Sequence, residues 1–465
     1  MIELTLSEIS KILGGDLRGA DATVFGSIET DSRLLQAGSL FFAKPGAVTD
    51  GHNFLADAKL AGAVAAVVER FQEQIDIPQI VVRDSVVALG QLAAEVLKRV
   101  RAESDIKVIG ITGSNGKTST KNMLGAILSK FGPTISPVES FNNEVGAPIS
   151  ILRVDKKTKF LVVELGADGL GSIKYLAEIA KPDIGVVLKV GMAHAGEFGG
   201  IEVTARIKAE LPQALSNNGL FIYNSDDSEV VKMLQTTAAK PKSFGTNLQA
   251  DYRFDDVNLG IDGTSAVVHF PGNKSSRVSL RILGEHQLMN ATAALAVANE
   301  LGLSLDVAVA ALEELPMAER WRMQLTNRSD GVSVINDAYN ASPESMKAAL
   351  QTLAQLGKSG RRTIAVLGEM AELGEFSRGA HDELGRLVVR YNISKLVVVG
   401  SAAKLIHMGA MQEGSWDGES VFFDSTSDAL EHIREMLVAG DIVLVKSSKS
   451  ANLRYLGDDL LEVSV

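Results

Sequence analysis

The sequence predicts an α/β protein of three domains, in which the central and C-terminal domains are built on mostly parallel sheets. Its 465 residues correspond to about three domains at roughly 150 residues each. From residue 105 onward, apolar segments rich in β-branched residues alternate with helical patterns, as in sheets that helices cover on both faces. A glycine-rich loop joins one of these strands to a helix, which is typical of nucleotide-binding α/β domains.

The composition is that of a globular protein and excludes several functional classes. Hydrophobic residues make up 46% of the chain and charged residues 22%, which argues against intrinsic disorder. The sequence contains no cysteine, so disulfides and cysteine-ligated zinc or iron–sulfur centres are excluded. The net charge of −11 disfavours nucleic-acid binding, which depends on basic patches.

The N-terminus and the apolar segments predict a cytoplasmic protein without membrane insertion. The first residues are acidic and carry no secretory signal pattern. The longest apolar run, residues 60–68, is much shorter than the roughly 20 residues that a membrane-spanning helix needs. We expect the protein to act as a monomer.

Residues 1–104 are predicted to form the first domain. Hydrophobic patterning predicts strands at 39–43 and 63–68 and helices at 54–62 and 85–100. Ser85 is the expected N-cap of the last helix. The polar residues 101–105 are predicted to be a linker to the next domain.

Residues 105–315 are predicted to form the central domain and residues 316–465 the C-terminal domain. The central pattern gives a strand at 107–112, a glycine loop, a helix from about Lys117, and strands at 160–165 and 184–190. The C-terminal pattern gives strands at 363–367, 396–399 and 442–445 with helices between them. This alternation predicts a second open, Rossmann-like sheet.

The loop at residues 110–118 is the most informative stretch. Its glycines allow backbone N–H groups to turn toward an anion, and the following helix N-terminus favours phosphate. Lys117 can reach the β- and γ-phosphates of a nucleotide, and the Thr118 hydroxyl can bind Mg²⁺. The strict phosphate-loop pattern is not met, because Ile111 stands where its first glycine belongs. The loop nevertheless predicts a phosphate-binding ATPase domain.

Two candidate metal ligands follow the next strands of the same sheet. Glu164 ends one strand and His194 lies just beyond another, and ligands gather at the carboxyl ends of parallel strands. A carboxylate suits Mg²⁺, whereas histidine is a less usual ligand. From spacing alone, a structural glutamate and a core histidine explain these positions equally well. Spacing alone also predicts that Lys208 opens a helix and lies on its solvated face.

Further motifs extend over nearly the whole chain, at residues 30–33, 38–43, 50–54, 112–118, 142–146, 164–167, 284–287 with 290–291, 336–343 and 367–374. Together they resemble the Mur ligase superfamily. The stretch Asp337-Ala338-Tyr339-Asn340-Ala341 resembles the branch that adds D-alanyl-D-alanine.

This resemblance implies an ATP-dependent ligase that joins D-Ala-D-Ala to UDP-N-acetylmuramoyl-tripeptide. The reaction would pass through an acyl phosphate and release ADP and phosphate. The first domain would bind the UDP-linked acceptor and the central domain ATP. The Rossmann-like domain would bind the dipeptide and close on the nucleotide. Whether the tripeptide ends in lysine or diaminopimelate stays open.

The resemblance also implies residue roles. Four residues would be catalytic: Lys117, Glu164, His194 and Lys208, the last of them carbamylated. Thr118 and Glu164 would bind Mg²⁺, and His194 would bind or position a second ion. The nucleotide would contact Gly113, Ser114, Asn115, Gly116, Lys117, Thr118, Ser119, Asn290 and Asp337, with Arg322 a looser candidate. The other substrates would contact Ser32, Arg33, His52, Asn142, Asn143, Tyr339, Asn340 and Ser342.

Some positions depart from the superfamily pattern, and other functions stay open. Ser119 and Ser342 replace the commoner Thr and Asn, Ala195 replaces Leu, and Lys449 replaces an arginine. One alternative is a related ligase that adds another amino acid or glutamate. A second is a switch that hydrolyses ATP without joining anything. A third, a structural protein with a degenerate site, is disfavoured by the intact phosphate loop.

Overall fold

The computed structural model describes residues 2–46, 49–137, 140–192, 195–315, 320–414, 416 and 418–462, without the side chains of residues 195 and 197. Its strands form three large sheets, one in each third of the chain, and a two-stranded pair. The predicted three-domain α/β fold class is therefore confirmed. None of the helices within these ranges is both long enough and apolar enough to cross a membrane.

The elements of the first domain are β1 (Leu4–Thr5), α1 (Leu6–Leu13), β2 (Asp16–Arg18), β3 (Thr23–Val24), β4 (Ile28–Glu29), β5 (Leu40–Ala43), α2 (Leu55–Leu60), β6 (Ala65–Val68), β7 (Gln79–Val81) and α3 (Ser85–Glu103). Five strands form a sheet in the order β2-β7-β6-β5-β4, parallel except for β2, and β1 and β3 form an antiparallel pair.

Helix α3 differs from its prediction at both ends. Asp84 caps it instead of Ser85, because the Asp84 carboxylate accepts from the backbone N–H groups of Val86 and Val87. The helix also continues through the predicted linker to Glu103. Its apolar face is buried in a core cluster that includes residues of both the first and the central domain, and this burial extends the helix beyond its local pattern.

The elements of the central domain are β8 (Lys107–Thr112), α4 (Lys117–Ser129), β9 (Thr134–Ile135), α5 (Gly146–Ile151), β10 (Phe160–Glu164), α6 (Ser172–Ala180), β11 (Ile184–Val187), α7 (Ala195–Phe198), α8 (Ile201–Ala214), β12 (Leu220–Asn224), α9 (Ser228–Lys232), β13 (Lys240–Gly245), β14 (Tyr252–Gly260), β15 (Gly263–Phe270), β16 (Lys274–Leu280), α10 (Glu285–Glu300) and α11 (Leu305–Glu313). The strands form a nine-stranded sheet in the order β16-β15-β14-β13-β12-β11-β8-β10-β9. Neighbouring strands from β9 to β14 in this order are parallel, whereas β14, β15 and β16 form antiparallel hairpins that the sequence patterns did not predict.

Both faces of the sheet are buried at β8, β10 and β11, which explains why these strands are continuously apolar. Along β8, Val108 belongs to the core cluster beneath α5, α6 and α8, whereas Ile109 belongs to the cluster beneath α4, α10 and α11. The loops that leave the carboxyl ends of β8, β10 and β11 therefore meet at one edge of the sheet, where ligands bind in open α/β folds.

The elements of the C-terminal domain are β17 (Gln324–Asn327), β18 (Ser333–Asn336), α12 (Pro343–Gly357), β19 (Thr363–Leu367), α13 (Ser377–Arg390), β20 (Lys395–Val399), α14 (Lys404–Gln412), β21 (Glu419–Phe423), α15 (Thr426–Met436), β22 (Ile442–Lys446) and α16 (Leu453–Asp459). The strands form a six-stranded sheet in the order β17-β18-β22-β19-β20-β21, parallel except for β17. Helices α12, α13 and α14 cover one face of this sheet, and α15 and α16 cover the other.

Candidate active site

The phosphate loop lies between β8 and α4 and is braced by the loop that follows β11. The Ser114 backbone N–H donates to the Lys189 carbonyl at 2.8 Å, and the Ser114 hydroxyl accepts from the Gly191 N–H at 2.9 Å. Gly116 occupies the N-cap position of α4 with φ +88°, a conformation that favours glycine. The N-terminus of α4 therefore faces the cleft with its first N–H groups available to an anion.

We expect Gly116→Ala to weaken nucleotide binding at least about tenfold and to destabilise the fold by about 1–3 kcal/mol, the usual cost of left-handed strain. An added Cβ would also lie 2.5 Å from the Asn290 side-chain oxygen. Titration with a fluorescent ATP analogue and urea unfolding measure the two effects. Gly379→Ala is the matched control, because its Cβ would meet nothing within 4 Å and α13 tolerates alanine. Equal behaviour of the two variants would contradict the tight loop geometry.

Lys117 begins α4 and turns back over its own loop. Its Nζ donates to the Gly113 carbonyl at 2.7 Å. Burial lowers the pKa of Lys117; the Glu164 carboxylate opposes this effect and the Arg322 guanidinium adds to it. The hydrogen bond to Gly113 holds the Lys117 ammonium close to the loop, whose N–H groups would receive a phosphate.

Thr118 and Glu164 meet at the end of strand β10. The Thr118 hydroxyl lies 3.2 Å from Glu164 Oε2 and 3.2 Å from the Ser140 hydroxyl. The Asn142 side-chain amide donates to Glu164 Oε1 at 2.8 Å. Glu164 is only 1% exposed. A hydroxyl and a carboxylate beside a phosphate loop are oxygen donors of the kind that Mg²⁺ prefers.

His194 lies outside the described residues, so its predicted metal and catalytic roles stay predictions. The described residues on either side contact the C-terminal domain. Met192 N–H donates to the Glu344 carboxylate at 2.8 Å, and Gly196 N–H donates to the Glu372 carbonyl at 3.1 Å. Within the described ranges, no three His, Cys, Asp or Glu side chains form a metal-binding cluster.

Lys208 lies in the middle of α8 and is only 4% exposed. The predictions that it opens a helix and faces solvent are therefore wrong. Burial lowers the pKa of Lys208 to about 7, and the Lys117 cation adds to this shift, whereas Glu210 and Asp168 oppose it. A large fraction of the Lys208 amine is therefore neutral near pH 7, as a nucleophilic lysine must be.

A cavity of about 320 Å³ on one side of the phosphate loop brings together residues of the central and C-terminal domains. Its predicted members are Ser114, Asn115, Gly116, Lys117, Thr118, Ser119, Asn142, Glu164, Asn290, Arg322, Asp337, Tyr339 and Asn340. Ser342 lies beside it and donates to the Asn115 side-chain oxygen at 3.3 Å. Most of the residues predicted for the nucleotide thus line one cavity.

The C-terminal wall of this cavity contains a buried ion pair that the sequence analysis did not assign. Lys446 Nζ lies 2.6 Å from the Asp337 carboxylate and donates to the Asn340 carbonyl at 3.0 Å. Lys449 was the one residue of this C-terminal segment that the sequence patterns singled out. The position of Lys446 at the end of an apolar strand was the signal that could have found it, since such positions carry ligand-binding residues.

His286 and Arg322 also line the cavity. Burial lowers the pKa of His286 to about 4, although the Asp337 carboxylate opposes the shift, so the ring is neutral at pH 7. The Arg322 guanidinium lies 4.2 Å from the centre of the Tyr339 ring and donates to Ser140 at 3.3 Å. Arg322 therefore connects the C-terminal domain to the side chain that contacts Thr118.

A second cavity, of about 700 Å³, lies on the other side of Lys117 between the phosphate loop, α6 and the start of α3. It is lined by Asp84, Val86, Val87, Gly113, Ser114, Lys117, Asn142, Asn143, Glu144, Gly166, Ala167, Asp168, Leu170, Gly171, Ser172, Tyr175, Leu176 and Lys208. Ser114, Lys117 and Asn142 line both cavities. Lys117 thus lies between the two cavities.

Three residues predicted to contact the acceptor, Ser32, Arg33 and His52, do not line either cavity. Arg33 is paired with Asp31. His52 is buried, with Nδ1 at 2.6 Å from Asp50 and Nε2 accepting from two backbone N–H groups. The substrate roles of these three residues stay predictions.

Three family models match successive parts of the chain: the catalytic domain of the Mur ligase family at residues 25–97, the Mur ligase middle domain at 111–298, and the Mur ligase glutamate ligase domain at 321–449. The UDP-N-acetylmuramoyl-tripeptide–D-alanyl-D-alanine ligase of Mycobacterium tuberculosis H37Rv is 41% identical, over 99% of this chain and 98% of its own. The chain belongs to the Mur ligase family.

Other relatives of this Mur ligase carry the same enzyme name or fold. The Escherichia coli K12 ligase is 35% identical over 97% of both chains. A crystal structure of MurF from Acinetobacter baumannii superposes with a TM-score of 0.89 at 32% identity, covering 99% of both chains. MurF of Thermotoga maritima, solved with ADP, has a TM-score of 0.81 at 28% identity, covering 94% of this chain and 96% of its own.

Proposed function

We propose that this Mur ligase joins D-Ala-D-Ala to UDP-N-acetylmuramoyl-tripeptide, with hydrolysis of ATP to ADP and phosphate, in the synthesis of peptidoglycan precursors. The observation that supports this reaction most directly is the position of Lys117 between two cavities. One cavity is suited to a nucleotide, and the other is large enough for the end of an acceptor. We propose that the protein acts as a monomer.

Lys117 would act in the first step, in which the acceptor carboxylate attacks the γ-phosphate of ATP. The attacking oxygen forms a bond to phosphorus, ADP leaves, and the product is an acyl phosphate. Two anions must approach each other in this step, so catalysis depends on positive charge and on alignment. The ammonium beside Gly113 supplies charge at the γ-phosphate, and the α4 N-terminus stabilises the other phosphates.

Thr118 and Glu164 fit a Mg²⁺ ion, because a buried carboxylate and a hydroxyl 3.2 Å apart are hard oxygen donors beside the phosphate loop. The ion would neutralise phosphate charge and polarise the γ-phosphoryl group. Asn142 would keep Glu164 in place, since its amide donates to the carboxylate. We propose His194 as a ligand or positioning residue for a second ion.

A carbamate on Lys208 also fits the structure. Carbamylation requires a neutral amine, and the pKa of Lys208 is about 7. The carbamate would replace a buried cation by an anion near the Lys117 ammonium, which removes a repulsion between two buried like charges. We propose that the modified side chain helps to position a metal ion.

The C-terminal domain would bring the dipeptide to the acyl phosphate. In this second step the dipeptide amine, after loss of a proton, attacks the carbonyl carbon, and phosphate leaves from the tetrahedral intermediate. Tyr339, Asn340 and Ser342 lie on the side of this domain that faces the phosphate loop. We propose that they contribute to the dipeptide end of the cleft and that Asn290, Asp337 and Arg322 hold adenosine, in keeping with the ADP complex of the Thermotoga relative.

A coupled assay with UDP-N-acetylmuramoyl-tripeptide, D-Ala-D-Ala and ATP tests this function. We expect phosphate release that requires both the acceptor and the dipeptide, and a product whose mass is that of the pentapeptide. Acceptors ending in lysine and in diaminopimelate should be compared in parallel. Turnover with glutamate or single amino acids but not with D-Ala-D-Ala would indicate a different Mur ligase. Phosphate release without acceptor and without a new amide would indicate an ATPase.

A further inference from the structure

The phosphate loop touches the C-terminal domain at the first turn of α12. Ser342 caps this helix, and its hydroxyl donates to the Asn115 side-chain oxygen at 3.3 Å. Two residues later, Glu344 Oε1 accepts from the Met192 N–H at 2.8 Å. The Glu344 carboxyl group also packs so closely on Gly191 that a Cβ there would lie 2.8 Å from Glu344 Cδ. We call these contacts, made by Asn115, Gly191, Met192, Ser342 and Glu344, the interdomain joint.

Two polar atoms in the interdomain joint are buried without a hydrogen-bond partner among the described residues. One is Asn115 Nδ2 and the other is Glu344 Oε2. The first is a donor on the phosphate loop, and the second is an acceptor on the C-terminal domain. Burial of an unpaired polar atom is costly, and nearly all such atoms in folded proteins find a partner. A state in which these two atoms pair would satisfy both.

The remaining contacts of the joint bring these residues near each other. Ser342 already contacts Asn115, and Glu344 follows Ser342 in the same helical turn. Gly191, against which Glu344 packs, is bonded to Ser114, the neighbour of Asn115. The amide and the carboxylate therefore lie on facing elements of the interdomain joint.

We propose that Asn115 and Glu344 form an interdomain latch, in which the Asn115 amide donates to Glu344 Oε2 when the C-terminal domain closes on the phosphate loop. This inference rests on the proposed function, because closure matters where the dipeptide must meet an acyl phosphate made beside the loop. The latch fixes α12 relative to the loop that holds the γ-phosphate. Asn115 and Glu344 thus act as positioning residues for the second step.

A double-mutant cycle tests the latch with wild type, Asn115→Ala, Glu344→Ala and the double variant. A hydrogen bond to a charged group predicts that each single variant lowers kcat/KM for D-Ala-D-Ala by about 10- to 100-fold. The loss in the double variant should be clearly smaller than the product of the two single losses, since both single variants remove the same interaction. The KM for ATP should change less than the dipeptide parameters in Glu344→Ala. Multiplicative losses in the double variant would overturn the proposal.

Hydrogen exchange gives a readout that does not depend on ligation. With a non-hydrolysable ATP analogue bound, peptides covering residues 112–118 and 342–350 should gain protection together in wild type and lose this coupled gain in Glu344→Ala. Equal protection in both proteins would contradict the latch, even if the dipeptide is not the substrate. Glu431→Ala is the matched control, because this exposed glutamate lies on α15. Urea unfolding of all variants separates a folding defect from loss of the latch.

Discussion

Replacing Lys117 by alanine is expected to lower ATP-dependent phosphate release by roughly 10³-fold or more, because the variant lacks a charged group that would stabilise the transferring phosphoryl group. Lys117 lines both cavities, which we propose to hold the nucleotide and the acceptor. The fold should be retained, because burial already disfavours the charged form of this side chain. Stopped-flow phosphate detection and circular dichroism measure the two outcomes.

Lys130→Ala is the control for this variant. Lys130 follows the last turn of α4, and its exposed ammonium pairs with Glu314, an interaction of a type that contributes little to stability. We expect wild-type turnover in this control. Wild-type turnover in Lys117→Ala would instead rule out the assigned role of the phosphate loop.

Lys208→Ala is expected to lower ligation by about 100-fold, the larger end of the effects seen when residues that orient metal ligands are lost. Acetate or propionate should partly restore activity, because a small carboxylate can occupy the space and supply the negative charge of the lost carbamate. Lys232→Ala, at an exposed ion pair on α9, should behave like wild type. Full activity of Lys208→Ala, or no response to any short carboxylic acid, would remove the support for carbamylation.

The pH dependence of carbamylation follows from the lowered pKa of Lys208, which is about 7. Above this pH the amine is mostly neutral and can react with CO₂, and below it the amine is protonated and cannot. Bound carbamate and ligation should therefore fall together as the pH drops below about 7, and removal of CO₂ should have the same effect. Carbon-13 NMR with labelled bicarbonate detects the carbamate directly.

Local signals predicted the structure around the phosphate loop well. Strand β8 and the start of α4 lie at the predicted residues. The local sequence there favours a buried β-branched strand, a glycine turn and a helix in succession, and no segment carries signals for two different structures. The hairpins of β14–β16 escaped prediction, because their exposed positions carry many polar residues. Asp84 and Ser85 are both good caps, and the sequence could not distinguish them.

Packing against segments distant in the sequence explains the other differences between the predicted and the observed structure. Spacing places Lys208 on a helix but does not reveal that α6 and α8 pack together or that the side chain faces the interior. The hydrogen bond from the Ser342 hydroxyl to the Asn115 side chain joins residues more than two hundred positions apart, and no local pattern predicts it. The motifs that resemble the Mur ligases did select residues that line one cavity, although those residues are far apart in the sequence; their roles toward a nucleotide stay predictions.

The core cluster shared through α3 has a consequence for how the protein unfolds. Residues of the first domain, such as Leu92 and Val96, and residues of the central domain, such as Leu161 and Val163, belong to the same cluster. The C-terminal domain has one cluster on each face of its sheet, and one of these clusters includes Leu283 of the central domain. The first two domains should therefore melt as a single cooperative unit.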